Sequence, residues 1–167
     1  MAKTYKTFNG PMVTTSEAAK VTTGTNLKTM MQIRASATSA LRICEWSISF
    51  DSAALAAPGT CELLETGSIG ATVTAYVAAD ISPDNDPNAT ASLIQIGSTT
   101  NSGYTSSGEG AIVASRMFDV QLVDPATGYM HQFTPGYQPE VKAGNVCRIR
   151  VHYAGAVNCL CWLLWEE

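Results

Sequence analysis

Acyl transfer by a side-chain nucleophile needs a base beside a serine or cysteine, and this chain offers two histidines for the work, His131 and His152. His152 falls on the polar face of an alternating run with Arg148 and Arg150, where solvent or an interface accounts for it. His131 sits in a turn-rich segment beside Tyr129 and Phe133, a place for packing or a hydrogen bond. Hard cations want oxygen ligands at alternate positions, which Asp84, Asp86 and Asn88 supply, but Ala89 stands where a calcium loop has its glycine and no closing Glu follows. Asx-turn chemistry explains the same residues. Cys159 and Cys161 share one face of a strand, yet no nearby pair completes a four-ligand zinc set. Asn88-Ala89-Thr90 fits the N-glycosylation pattern by chance, since no export is expected. No glycine-rich phosphate loop lies between a strand and a helix. The expectation is a protein that is not an enzyme, with no catalytic residue, metal or cofactor.

The elements that would position such residues read as strands. Residues 41–50 put Cys44, Trp46, Ile48 and Phe50 on one face and Glu45, Ser47 and Ser49 on the other. Residues 146–153 alternate in the same way, with Cys147, Ile149, Val151 and Tyr153 against Arg148, Arg150 and His152. Residues 27–34, 61–65, 71–79, 92–96 and 111–123 are further expected strands. Residues 157–165 are apolar on both faces apart from Asn158, which predicts a central strand covered on both sides. Residues 80–91, 97–110 and 124–145 read as loops, and residues 16–20 and 53–57 as single helical turns. The fold expected is all-β, an antiparallel β-sandwich or jelly roll. Trp46 and Trp162 then belong to strand faces, so core or subunit interface is favoured over a sugar-stacking platform for them and for Trp165.

At 167 residues the chain is one domain, 27–167, preceded by residues 1–26, which lack apolar periodicity and read as an extended N-terminal arm lying on a partner. Lys3, Tyr5, Lys6, Phe8 and Lys20 are the residues expected to touch it. Charged residues are only 14% of the chain, against about 25% in ordinary domains, so much of the surface must be Ser, Thr, Gly, Ala and Asn, as suits packing against other proteins. The net charge of -4 argues against a nucleic-acid partner. No run approaches membrane-spanning length. Residues 1–10 lack the apolar stretch of a signal peptide, so the five cysteines, Cys44, Cys61, Cys147, Cys159 and Cys161, are expected to be free thiols.

The run Leu41-Arg42-Ile43-Cys44-Glu45-Trp46-Ser47-Ile48-Ser49-Phe50-Asp51, with Glu62-Leu63-Leu64-Glu65-Thr66-Gly67, Pro139-Glu140-Val141-Lys142-Ala143-Gly144-Asn145 and the closing Trp165-Glu166-Glu167, resembles a group of tailed-bacteriophage virion proteins, the head decoration or minor capsid proteins. The similarity runs from about Thr29 to Glu167 and leaves the arm uncovered. The resemblance implies a cement protein of the virion surface, often a homotrimer, that binds the major capsid protein and clamps neighbouring capsomers against internal DNA pressure. It brings no catalytic residue with it. The second reading is a carbohydrate- or receptor-binding module of a phage tail or fibre.

Overall fold

In the computed structural model, which describes residues 2–51, 57–112 and 116–167, the chain forms two antiparallel sheets packed against each other as a β-sandwich. Sheet A runs β10 (Gly128–Gln132), β4 (Leu41–Phe50), β13 (Asn158–Glu166), β1 (Thr4–Phe8) and β7 (Ser82–Pro83); β11 (Glu140–Val141) also joins β4, and β2 (Val21–Thr22) also joins β13. Sheet B runs β6 (Thr72–Ala75), β8 (Gly103–Gly108), β3 (Lys28–Arg34), β12 (Val146–His152), β5 (Gly59–Glu65) and β9 (Arg116–Val123). The period-two faces meet in the middle: Trp46, Ile48, Cys161, Leu163 and Trp165 from sheet A and Ile33, Leu63, Ile149 and Val151 from sheet B form one buried cluster. Each large apolar side chain placed there is worth roughly 1.5–3 kcal/mol of transfer free energy.

Residues 1–26 do not stand outside this sandwich as one arm. Thr4–Phe8 pairs with β13 in an inner position of sheet A, register Tyr5 on Trp165 and Thr7 on Leu163, and Tyr5 and Thr7 are buried. The arm expectation fails here because Tyr5 and Phe8 are spaced three apart and show no period-two signal, while the partner is at the far end of the chain. Asn9 extends the ladder with its side chain. Its backbone N–H donates to Cys161 O at 3.0 Å, its Oδ1 accepts from Cys161 N at 3.0 Å, and its Nδ2 donates to Cys159 O at 3.2 Å. β2 then resumes pairing with Asn158 and Cys159. Residues 10–20 therefore leave the ladder and return to it one step further along β13, a compact excursion of the Ω-loop kind. No helical turn forms over residues 16–20.

Other departures have local causes. Residues 97–110 contain β8, whose Gly103 sits where a Cβ would come within 2.2 Å of Thr74 O, so a strand rich in Gly, Ser and Thr is what that crowded gap admits. Residues 92–96 form no strand, because Ser92 Oγ and Leu93 N donate to the Glu167 carboxylate instead of a ladder. Residues 124–145 include β10 and β11, both on β4. Cys44 is the extra residue of a bulge opposite Leu164 and Trp165, so Ile43 and Leu41 take the inward positions upstream of it and Cys44 is only half-buried. β13 is central, but only its inward face is fully covered; Leu160, Trp162 and Leu164 stay half-buried on the outer face. The expected turn at residues 53–57 lies, except for Ala57, outside the described residues.

Asn9 is the joint between strand and excursion. Asn9→Ala strips two bonds from buried backbone of β13 and should lower the unfolding free energy by about 2 kcal/mol, read as a shifted urea midpoint at constant m-value. An unchanged midpoint would show that water replaces those bonds.

Candidate functional site

Residues 10–20 carry Met12 and Val13, each more than a third exposed, and every residue from 11 to 20 is exposed. The excursion is pinned at its start by Met12 N, which donates to Asp80 Oδ1 at 3.0 Å, and at its end by Lys20 Nζ, 2.6 Å from Asp51 Oδ2. Asp80 is itself fixed, since its other carboxylate oxygen accepts from Val77 N at 2.9 Å and its carbonyl accepts from Thr7 Oγ1. Between the excursion and the outer face of sheet A lies a groove of about 420 Å³, with Phe8, Met12, Val13, Leu160 and Trp162 as its apolar walls and Ser47 and Ser49 among its lining. The serine hydroxyls are already engaged, with Tyr129 O at 3.1 Å and Leu160 O at 3.4 Å. What the groove offers an occupant is apolar contact.

The five residues expected to meet a partner separate here. Tyr5 is inside the fold, stacked on Trp165 at 6.0 Å, with its hydroxyl donating to Thr90 O at 2.8 Å. Lys3 Nζ donates to Thr90 Oγ1 at 2.7 Å and so holds the 84–92 loop. Lys6 places its ammonium 3.5 Å from the Trp162 ring centroid, roofing the indole. Phe8 is 37% exposed and lines the groove, and Lys20 is exposed where the excursion returns. Sequence reading missed the groove itself, because its walls come from residues 8–19, 47–49 and 160–162; Met12 and Val13, an apolar pair in a polar stretch, were the available signal.

A second cluster joins the two sheets along one side. Asp119 of β9 turns inward and its Oδ2 accepts from Trp46 Nε1 at 3.1 Å and Tyr129 OH at 2.9 Å, with His131 Nδ1 at 2.7 Å; Oδ1 accepts from Gln121 Nε2 at 3.0 Å. A carboxylate only accepts, so Nδ1 of His131 carries the proton. The ring stacks on Phe133 at 4.4 Å. Burial alone would push the Asp119 carboxyl up; Gln121, His131, Tyr129 and Trp46 together more than reverse that and leave it below its ordinary value. Burial, then Asp119, push the Tyr129 phenol up to about 12, so it is a poor nucleophile near neutrality. His131 thus has the orienting carboxylate of a catalytic pair, but the hydroxyl bonded to that carboxylate is Tyr129. The arrangement ties the edge strand of one sheet to the edge strand of the other. His152 is exposed.

Asp84, Asp86 and Asn88 are exposed and do not converge on a point: Asp86 Oδ1 accepts from Asn88 N at 2.9 Å, an Asx turn. Asn85, between them and also exposed, accepts from Thr4 N and donates to Ala2 O. Among the described residues no group of three or more His, Cys, Asp and Glu could hold a metal, and no helix is long and apolar enough to cross a membrane. All five cysteines are free, and all but Cys44 are buried. Burial pushes the Cys61 thiol up to about 12 and Cys44 to about 11, and raises Cys147 and Cys161 as well. Arg148, read as part of a polar face, is fully buried beneath two loops, donating to Glu109 O at 2.8 Å and to Ile69 O. Trp46 and Trp165 are core residues.

Set against known protein families, characterised proteins and solved structures, the chain finds no match in any of the three.

The Asp119 carboxyl is held below its ordinary value in the folded protein, so its contribution to stability is present above that value and lost as pH falls through the folded one. The stability gap between wild type and Asp119→Asn, about 2 kcal/mol for charged hydrogen bonds, should be full above about pH 4 and close below it; urea titrations at several pH values check this. Thiol titration should find Cys44 slow in the native protein and all five cysteines reactive once it is denatured. A disulfide recovered from the native protein would contradict that expectation.

Proposed function

We propose that this chain is a structural, non-catalytic protein of a phage particle, a capsid decoration protein that binds the outside of the head and stabilises neighbouring major capsid subunits. The observation that carries the reading is the excursion of residues 10–20. It is an exposed loop clamped at both ends to a rigid sheet, beside a groove of about 420 Å³ whose walls are apolar and whose serines are already bonded. Such a groove suits protein side chains, which contribute area more than hydrogen bonds. The resemblance of residues 41–51, 62–67 and 139–145 to head decoration proteins points the same way, and the low charge fits a surface meant for contact.

The reading as a carbohydrate- or receptor-binding module of a tail or fibre has less support. Stacking on a sugar needs an open aromatic face; Trp46 and Trp165 are in the core and Lys6 roofs Trp162.

A cement works by mass action, since binding the assembled shell and not its separated subunits shifts the balance towards the intact particle. Replacing residues 11–19 with a short glycine linker keeps β1, Asn9 and β2 on β13. That variant should stay folded, lose occupancy on purified heads, and leave DNA release at the lower temperature of undecorated particles. Binding of the wild type should depend weakly on salt, because the excursion carries only Glu17 and Lys20 as charges. Full occupancy by the shortened variant would remove the groove from the reading, and equal release temperatures with and without the protein would remove the stabilising role.

A further inference from the structure

We infer that the open edge of β9 pairs with the same edge of a second copy of this chain, antiparallel and about a twofold axis near Gln121. Among the described residues six strands lie at sheet edges, and β2 and β11, two residues each, are too short to extend. β7 is two residues long and contains Pro83. β6 is covered by the segment that leads into β8, with Val73 N donating to Thr99 O at 2.7 Å. β10 is short and carries Gly128, His131 and Gln132, with His131 held to Asp119. β9 is different: it is eight residues long, among the described residues it is paired on one side only, with β5, and it contains neither Lys nor Pro.

Its charges do not guard it. Asp119 points inward onto Trp46, Tyr129, His131 and Gln121. Arg116 is bound to the buried Glu65 and to Glu140 O. What remains outward is Met117, Val120 and Leu122, exposed by 49%, 50% and 74%. An unpaired ladder flanked by an apolar row selects another β-strand as occupant, and an uncharged one. β9 is itself such a strand, so a second copy meets the requirement with the same patch used twice.

Symmetry and the apolar row choose the direction. A twofold axis normal to the sheet runs the two strands antiparallel and keeps Val120 and Leu122 of both copies on one face, whereas a parallel pair of the same edges would put them on opposite faces. The bulge at Phe118, where β9 slips against Leu63 and Leu64, leaves the stretch from Asp119 to Val123 as the regular part available for pairing. A patch of this size is at the small end of specific interfaces, so the dissociation constant should be on the order of 10 µM. A twofold pair, and not a threefold ring, is what one self-complementary edge produces. The pairing belongs to the isolated protein and holds or fails independently of any role on a capsid.

Sedimentation equilibrium from about tenfold below to tenfold above that constant tests it, on the wild-type chain, on V120K/L122K, and on L93K, which alters an exposed leucine far from β9. Wild type and L93K should pass from monomer to dimer with concentration, and V120K/L122K should stay monomeric with an unchanged circular dichroism spectrum. Hydrogen exchange on the wild type, which needs no variant, should show the β9 amides slowing as concentration rises. The inference is overturned by a wild type monomeric throughout, by a trimer, by dimers that survive V120K/L122K, or by β9 exchange that ignores concentration.

Discussion

The architecture depends on the two ladders of β13. A central strand must satisfy its backbone on both sides, and in β13 one side is met by β4 alone while the other is assembled from β1, the Asn9 side chain and β2. The two ends of the chain are thereby bound together, and the closure is reinforced where Glu167 N donates to Lys3 O and the Glu167 carboxylate takes Trp165 Nε1, Ser92 Oγ and Leu93 N. Pairing the first strand with the last requires closing nearly the whole chain, a contact pattern associated with slow folding. It also creates the surface of interest. Because Asn9 meets Cys161 and Val21 meets Cys159, only two residues apart on β13, what lies between them is expelled from the ladder and projects over the outer face of sheet A.

Several of the few charges of this protein are committed to contacts within the fold. Arg148 is buried under residues 69 and 109, Arg150 pairs with Glu62 at 2.7 Å, Arg116 holds Glu65, and Asp119 anchors the seam between the sheets. Glu109 itself accepts from Thr29 N at 2.6 Å and from Thr29 Oγ1 at 2.5 Å, tying a loop to β3. A buried charge needs such partners because the interior solvates it poorly. Outside, the exposed large apolar side chains include Met12, Val13, Met117, Val120, Leu122 and Met130.

The two surfaces differ in kind. The groove beside residues 10–20 is a cavity with apolar walls, suited to side chains of a partner, whereas β9 offers a backbone ladder, suited to a strand. Asp119 lies behind the second of these: it fixes β9 to β4 through Trp46 and to β10 through Tyr129 and His131, and it withdraws from the edge a charge that would have guarded it.

The sequence by itself determined the fold class and most of its long strands. The inward faces of β12 and of β4 apart from its bulge were legible because alternation along a strand is a local property that the pleat turns directly into inside and outside, while the burial of Arg148 and the half-open outer face of β13 were not. The same locality explains what was not legible. β1 shows no alternation and is a strand because β13 needs a partner; β8 is Gly, Ser and Thr placed between β3 and β6; Cys44 is displaced by a bulge that exists only opposite Leu164 and Trp165. His131 gave itself away as a hydrogen-bonding residue, but Asp119 as its partner did not, since the two come from different sheets. The groove, the open edge and the seam were decided by the tertiary structure alone, because each is made of residues far apart in the chain that only strand pairing and sheet packing bring together.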